Sequence, residues 1–180
     1  MKPLTVEFLA LALTVSCGAD RYGHSRTYTY WGDEERFARR ARTDAVYDEV
    51  VRMPDRFLDQ SITWFGIVTR VAPSAGGSML VAMSLRAHQD RHLCADETEA
   101  SCHVTINERD AGAFSARVRL SAEDAVGENR VQPGSLLRVY GVLMPGQTDA
   151  NGGPVLRADF YRHWPRGQYM TTAAREVLRR

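Results

Sequence analysis

The strongest constraint on the fold is a set of five segments, between Ser61 and Trp164, in which apolar and polar residues tend to alternate with period two. In the third segment, Phe114, Ala116 and Val118 alternate with polar side chains. One face of that strand is therefore expected to be buried and the other solvated. The segments are ITWFGIVTRV, SMLVAMSLRAH, GAFSARVRL, SLLRVYGVLM and PVLRADFYRH. Together with the turn clusters between them, they predict five β-strands.

Two glycines inside these strands indicate how the sheet is shaped. Gly66 and Gly141 interrupt otherwise strong strands, where a glycine weakens pairing unless the backbone has to bend sharply. Coiling a five-stranded sheet into a barrel requires such bends. The sequence therefore predicts a mainly β protein built on a five-stranded barrel.

Two phrases in this region carry a resemblance to a known fold. They are WFGIVT at the start of the first strand and VQPGSLLRVYGVL, in which Gly134 begins a strand and Gly141 lies at its bend. This pattern resembles the OB-fold, and the resemblance implies an OB-like barrel over residues 57–165. OB-folds usually carry a helix between the third and fourth strands, but only SAEDAV (121–126) is available here. At most one or two helical turns are expected there.

The segments on either side of the barrel have different compositions. Residues 17–31 are polar and tyrosine-rich without sustained periodicity, which is typical of a tether. Residues 32–56 contain a candidate N-cap at Asp33, acidic residues in the first turn and a thin apolar stripe that ends before Pro54. They predict an N-terminal helix of about twenty residues. The tail 166–180 ends in TTAAREVLRR, which predicts a short C-terminal helix.

The first 17 residues have the layout of an export signal. One lysine precedes a short apolar run from Phe8 to Val15, and Ser16 and Cys17 follow it. The run is too short for a membrane-spanning helix, which needs about 20 apolar residues. The residues LTVSC resemble the lipobox of bacterial lipoproteins. That resemblance implies removal of a signal peptide at residues 1–16 and acylation, including palmitate, at Cys17.

The same resemblance implies an address for the protein. Gly18 follows the cysteine, and in Gram-negative lipoproteins a residue other than aspartate at that position implies sorting to the outer membrane. Cys17 would then hold the chain to envelope lipid at the periplasmic face. Two alternatives stay open, namely cleavage with secretion, or a cytoplasmic protein whose N-terminal segment is buried.

Two cysteines are left once Cys17 is assigned to lipid. Cys94 and Cys102 lie eight positions apart, and an even pair in an exported chain favours a local disulfide. A metal site is the alternative, because His88, His92 and His103 are close in sequence and zinc accepts thiolates and imidazoles. The spacing matches no usual zinc motif, so the disulfide is the prediction and no cofactor or metal is expected.

The search for catalytic motifs gives no candidate. The chain lacks the nucleophile elbow of hydrolases, the phosphate-binding loop and the metalloprotease helix motif. Its 23 basic and 22 acidic residues give a net charge of +1, which provides no general attraction to nucleic acid. We therefore expect a non-enzymatic protein, and nucleic acid is disfavoured as a partner.

Four residues are candidates for ligand binding. Arg117 and Arg119 lie on the polar side of the third strand, and Tyr161 and Trp164 lie near the end of the fifth. The ending FYRHWP and the anchor also give the chain a layout similar to Slp-type outer-membrane lipoproteins. The predicted function is binding of an envelope protein or another envelope component. The alternative is an OB module that binds an oligonucleotide or an anionic oligosaccharide through the two arginines.

Overall fold

A computed structural model of the protein describes residues 24–94 and 101–176. Over these residues the protein is mainly β, with nine strands in two sheets and only short helices. The signal peptide and Cys17 lie outside the described residues. No helix in the described ranges is long and apolar enough to cross a membrane.

All five strands predicted from the alternation are present, and they form one sheet that closes on itself. They are β2 (Ser61–Pro73), β3 (Met79–Arg86), β6 (Ala113–Val118), β7 (Leu136–Thr148) and β8 (Pro154–Trp164). The strands pair in the order β2-β3-β6-β8-β7, and β7 pairs back to β2. All neighbours are antiparallel except β6 and β8, which are parallel.

The closed sheet encloses the larger apolar core. Phe114, Ala116 and Val118 of β6 point into it and are fully buried, as the alternation predicts. Ser115 on the opposite face is also buried, although a solvated position was predicted. Its hydroxyl donates a hydrogen bond to Asp149 Oδ2 at 3.0 Å, and this bond compensates for removing the hydroxyl from water.

Gly141 lies where β7 bends. The register of the β7–β8 pair shifts between Tyr140 and Gly141. A Cβ atom at position 141 would be 2.2 Å from the carbonyl oxygen of Arg157, closer than any real contact of that kind. The strands can approach each other at this bend only because residue 141 has no side chain.

A second sheet, which the sequence analysis did not predict, covers one outer face of the closed sheet. Its strands are β1 (His24–Thr27), β4 (Arg91–Cys94), β5 (Cys102–Ile106) and β9 (Tyr169–Thr171), in the order β1-β4-β5-β9. Phe65, Leu136 and Trp164 from the closed sheet pack against Val104 and Ile106 of β5. This smaller apolar cluster holds the two sheets together.

The predicted tether is wrong where the structure describes it. Residues 24–27 form β1, which pairs with β4 in antiparallel register. Tyr28 follows directly and packs against the apolar cluster between the sheets. The absence of an alternating pattern in this segment did not prevent strand formation, because β4 supplies the backbone hydrogen bonds.

The single N-terminal helix predicted for residues 32–56 is also wrong. The structure has α1 (Glu34–Ala38), α2 (Tyr47–Arg52) and a 3-10 turn (Pro54–Phe57). Between the helices, the amide of Arg42 donates to the carbonyl of Ser61 at 2.8 Å, and Trp64 Nε1 donates to the carbonyl of Ala45 at 2.8 Å. These bonds to β2 use backbone groups that a continuous helix would need.

Two shorter predicted helices have mixed outcomes. The short turn expected between the third and fourth strands is α3 (Ala122–Ala125), and the hydroxyl of Ser121 caps it by accepting from the amide of Asp124 at 3.2 Å. The predicted C-terminal helix begins instead with β9, followed by a 3-10 turn over Thr172–Glu176. Residues 177–180 lie outside the described ranges.

The predicted disulfide is confirmed. Cys94 and Cys102 are bonded with an S–S distance of 1.99 Å, and they are directly paired across β4 and β5. Since both sulfurs are bridged, they are not available as the thiolate ligands of the alternative zinc site. Within the described residues, no group of three or more histidine, cysteine and acidic side chains is arranged to hold a metal ion.

We expect the double substitution Cys94→Ser and Cys102→Ser to lower the free energy of unfolding by about 2–3 kcal/mol, because the bridge restricts the unfolded chain. Urea unfolding of the wild type, with its disulfide intact, and of the double variant measures this difference. A loss below about 0.5 kcal/mol would show that pairing of β4 with β5 does not depend on the bridge.

Candidate functional site

The most strongly coupled polar group in the described structure is a buried carboxylate cluster, which consists of Glu34, Tyr28, Arg138, Tyr140 and Arg162. Glu34 is fully buried, although it stands in the first turn of α1. Its carboxylate accepts hydrogen bonds from Tyr28 Oη at 2.5 Å, Tyr140 Oη at 2.8 Å, Arg162 Nη1 at 2.8 Å and Arg138 Nη1 at 3.3 Å. Four side chains from three parts of the chain therefore meet at one anion.

Each charged side chain in this cluster lies next to a partner of opposite charge. Burial alone would raise the pKa of Glu34, but the hydrogen bonds from Tyr28, Tyr140 and Arg162 lower it below its ordinary value. The guanidinium of Arg138 also lies 4.8 Å from the ring centres of Phe65 and Tyr140, within the range of cation–π attraction. Because every strong group already has a partner inside the protein, the cluster joins α1 and β1 to the closed sheet and is not available to a ligand.

A surface groove near α3 has a different character, and we call it the α3 groove. It has a volume of about 1040 Å³. Its sides are formed by α3 and the loop that follows it, by the end of β8, and by Trp31. Trp31 and Val126 stand at its margin with 73% and 69% of their surfaces exposed. The other two tryptophans, Trp64 and Trp164, are 6% and 8% exposed. Large apolar side chains as exposed as Trp31 and Val126 indicate an interaction surface when they flank a groove.

A hydrogen-bonded network forms the floor of the α3 groove. Asp124 Oδ1 is 2.6 Å from His163 Nδ1, and Asp124 Oδ2 accepts from Tyr161 Oη at 2.6 Å. The amide of Ser121 donates to Tyr161 Oη at 2.9 Å. Burial and the hydrogen bond to Asp124 raise the pKa of Tyr161 to about 12. The network fixes α3 against β8, so this side of the groove is rigid.

The rim of the α3 groove is mainly acidic. Glu123, Glu128 and Asp159 are exposed there, against Arg119 as the exposed base. Asp159 is paired with Arg157, which lies outside the groove, at 3.7 Å, so Glu123 and Glu128 are the main source of the negative charge. Arg162 also lines the groove, but its Nη1 is bonded to Glu34. The groove therefore favours a ligand that combines apolar surface with positive charge.

Three of the four predicted binding residues line this groove. Arg119, Tyr161 and Trp164 are there, whereas Arg117 is not among the lining residues and instead donates to Gln147 Oε1 at 3.3 Å. The guanidinium of Arg162 covers the ring of Trp164 at 4.6 Å, so this tryptophan is a wall of the groove and not its exposed contact. Arg119 Nη2 reaches the carbonyl of Gly76 at 3.5 Å.

Trp31 and Val126 were not among the binding residues predicted from the sequence. Trp31 was included in the predicted tether, and Val126 ends a short segment that was interpreted only as a helical turn. The signal that could have identified Trp31 is its position in a polar segment, directly before Gly32 and an acidic helix start.

Comparison with known proteins adds no identification. No protein-family model matches the chain, and a search among curated proteins finds none that is significantly similar.

Proposed function

We propose that the protein is an exported, lipid-anchored and non-enzymatic module with an OB-like barrel, and that it binds an envelope protein through the α3 groove. It would act at the periplasmic face of the outer membrane of a Gram-negative bacterium. The observation that carries the binding proposal is the pair of exposed side chains, Trp31 and Val126, on a rigid groove with an acidic rim.

Two features support export and an OB-like fold. A disulfide between Cys94 and Cys102 suits an oxidising compartment, and LTVSC before Gly18 resembles a lipobox. The closed ring of five strands, with α3 between the third and fourth of them, supports the resemblance to the OB-fold.

The chemistry of the groove favours a protein over an anionic ligand. Trp31 and Val126 offer apolar surface, which forms the centre of typical protein interfaces. An oligonucleotide or an anionic oligosaccharide would meet Glu123 and Glu128 at the rim, with Arg119 as the exposed base. We therefore propose a partner segment with an apolar anchor and basic side chains.

The binding proposal can be tested by affinity purification from detergent-solubilised envelopes, followed by quantitative mass spectrometry. We expect Trp31→Ala together with Val126→Ser to reduce recovery of one specific envelope protein by about tenfold or more, since removal of an aromatic anchor residue costs about 2 kcal/mol or more. Val51→Ala is the control, because Val51 on α2 is 46% exposed and does not line the groove. Equal recovery with both variants would contradict the proposal.

The anchor gives a separate prediction. Cys17→Ala should move the protein from the membrane fraction to the soluble fraction, because acyl chains contribute about 0.8 kcal/mol per buried methylene group to membrane binding. Fractionation of washed membranes measures this. Tight membrane association of the variant would mean that another part of the chain attaches the protein.

A further inference from the structure

A smaller cavity also adjoins α3, and we call it the arginine pocket. It is lined by residues 69–71 of β2, by Met79 at the start of β3, by Leu120 and Ala125, and by residues 130–133 of the loop after α3. Its volume is about 430 Å³, within the usual range for small-molecule sites. The arginine pocket and the α3 groove share no lining residue.

The charged side chains of the arginine pocket are all positive. Arg70 and Arg130 are exposed there, and no acidic residue of the described ranges lines the pocket. Neither guanidinium forms an ion pair with a described carboxylate. Nη1 of Arg130 donates to the carbonyl of Gly127 at 3.0 Å. Two open guanidiniums at one cavity create a local positive potential, although the net charge of the whole chain is only +1.

The acidic residues of the segment that carries α3 belong to the other cavity. Glu123, Asp124 and Glu128 all line the α3 groove, and none of them lines the arginine pocket. The hydrogen-bonded network described above holds the carboxylate of Asp124 at the floor of that groove. The two cavities beside α3 therefore differ in charge, because the groove is acidic and the pocket is basic.

Apolar side chains line the pocket together with the arginines. Val71, Met79 and Leu120 are partly buried, and they pack against the core of the closed sheet. An unbranched methionine side chain adapts its shape to an apolar partner. The pocket therefore offers apolar surface and positive charge to the same ligand.

Backbone hydrogen bonds fix the loop that forms one wall of the pocket. The amide of Val131 donates to the carbonyl of Asp124 at 2.8 Å, which joins the loop to α3. The amide of Gly134 donates to the carbonyl of Val68 at 2.9 Å, which joins the loop to β2. Because the wall is already formed, a ligand does not have to order it on binding.

We propose that the arginine pocket binds a single-chain anionic amphiphile, that is, a carboxylate or phosphate joined to one alkyl chain. Arg70 and Arg130 bind the anionic group through charge-assisted hydrogen bonds, and Val71, Met79 and Leu120 contact the chain. A concave cavity of about 430 Å³ favours one chain over a two-chain lipid or a flat bilayer surface. This site is independent of the α3 groove, so the two proposals can fail separately.

The test uses the purified full-length protein and octanoate below its micelle concentration, with affinities measured by calorimetry and saturation-transfer NMR. We expect octanoate to bind at least about tenfold more tightly than acetate, which has the charge without the chain. We expect the same margin over octanol, which has the chain without the charge. Dihexanoyl phosphatidic acid, a soluble lipid with two chains, should bind more weakly than octanoate.

Two substitutions locate the binding. Arg70→Gln and Arg130→Gln should each weaken octanoate binding by about fivefold or more, because each removes one guanidinium from the anion. Arg40→Gln is the matched control, since Arg40 is exposed and does not line the pocket, and it should leave the affinity unchanged. Trp31→Ala in the α3 groove should also leave it unchanged. Unfolding curves of each variant check that the fold is retained.

Four results would each overturn the proposal. They are no binding of octanoate, binding of acetate or octanol as tight as that of octanoate, tighter binding of the two-chain lipid, and wild-type affinity in both Arg70→Gln and Arg130→Gln.

Discussion

Glu34→Gln is expected to lower the free energy of unfolding by about 3–5 kcal/mol, one of the two largest effects among the changes considered. The substitution removes the negative charge that faces Arg138 and Arg162, whose side chains are 7% and 20% exposed. An amide also places an N–H donor where Tyr28 and Tyr140 now donate. Two guanidiniums would then be held near the interior without a counter-ion.

Glu35→Gln is the matched control, because Glu35 is the next residue on α1 and forms an exposed pair with Arg39 at 2.7 Å. Exposed pairs of this kind contribute about 0.5 kcal/mol or less. Urea unfolding at pH 7 compares the two variants with the wild type. If Glu34→Gln and Glu35→Gln differ by less than about 1 kcal/mol, the buried carboxylate cluster does not stabilise the fold as described.

Acid sensitivity is the second large effect. Burial, then the charges of Arg138 and His92, lowers the pKa of His88 from 6.5 to about 4. Burial, then the charges of Arg162 and His103, lowers the pKa of His92 to about 4 as well. Between pH 6.5 and 4 the unfolded chain therefore binds more protons at these positions than the folded chain does. Stability is greatest above pH 6.5 and falls as the pH decreases through this window.

We expect each of these histidines to contribute a loss of about 1–2 kcal/mol between pH 7 and pH 5, after allowing for their partial exposure to solvent. Protonation of the Glu34 carboxylate lowers the stability of the fold only at lower pH, since the pKa of Glu34 is below its ordinary value. Urea unfolding of the wild type and of the double variant His88→Gln/His92→Gln, at half-unit intervals of pH, measures the effect. Equal slopes for the two proteins over pH 7 to 5 would contradict it.

The closed sheet was predictable because its signals are local. Each of the five strands is marked by its own apolar residues, which alternate most clearly in β6, and Gly141 marks the bend at which a Cβ atom would collide with Arg157. The second sheet was not predictable in this way. Its strands have three to five residues each, too few for a periodic pattern, and two of them belong to segments distant from β4 and β5 in sequence.

The prediction of one long N-terminal helix was wrong for a related reason. Its acidic start and thin apolar stripe are compatible with a helix, but the backbone around Arg42 and Ala45 bonds to β2, and no local pattern reveals that contact. Glu34 shows the same limit, because an acidic residue in a first helical turn is usually solvated. Its burial depends on Arg138 and Arg162, more than 100 positions away in the chain.

The candidate site was predictable in part. Arg119, Tyr161 and Trp164 were selected from the sequence and share the α3 groove, whereas Arg117 does not line it. Exposure depends on how neighbouring segments fold back, so Trp31 and Val126 could be recognised as surface contacts only from the structure. The disulfide was predictable from the number and spacing of the cysteines, which depend on no tertiary contact.

Site-specific photo-crosslinking in cells is the most direct test of the proposal that this protein acts by binding through the α3 groove. A benzophenone amino acid at position 126 should give one adduct with a single envelope protein, and Trp31→Ala should reduce that adduct strongly. The same amino acid at position 51, on α2 and outside the groove, should not give it. The absence of an adduct from position 126, or the same adduct from both positions, would contradict the proposed role of the groove.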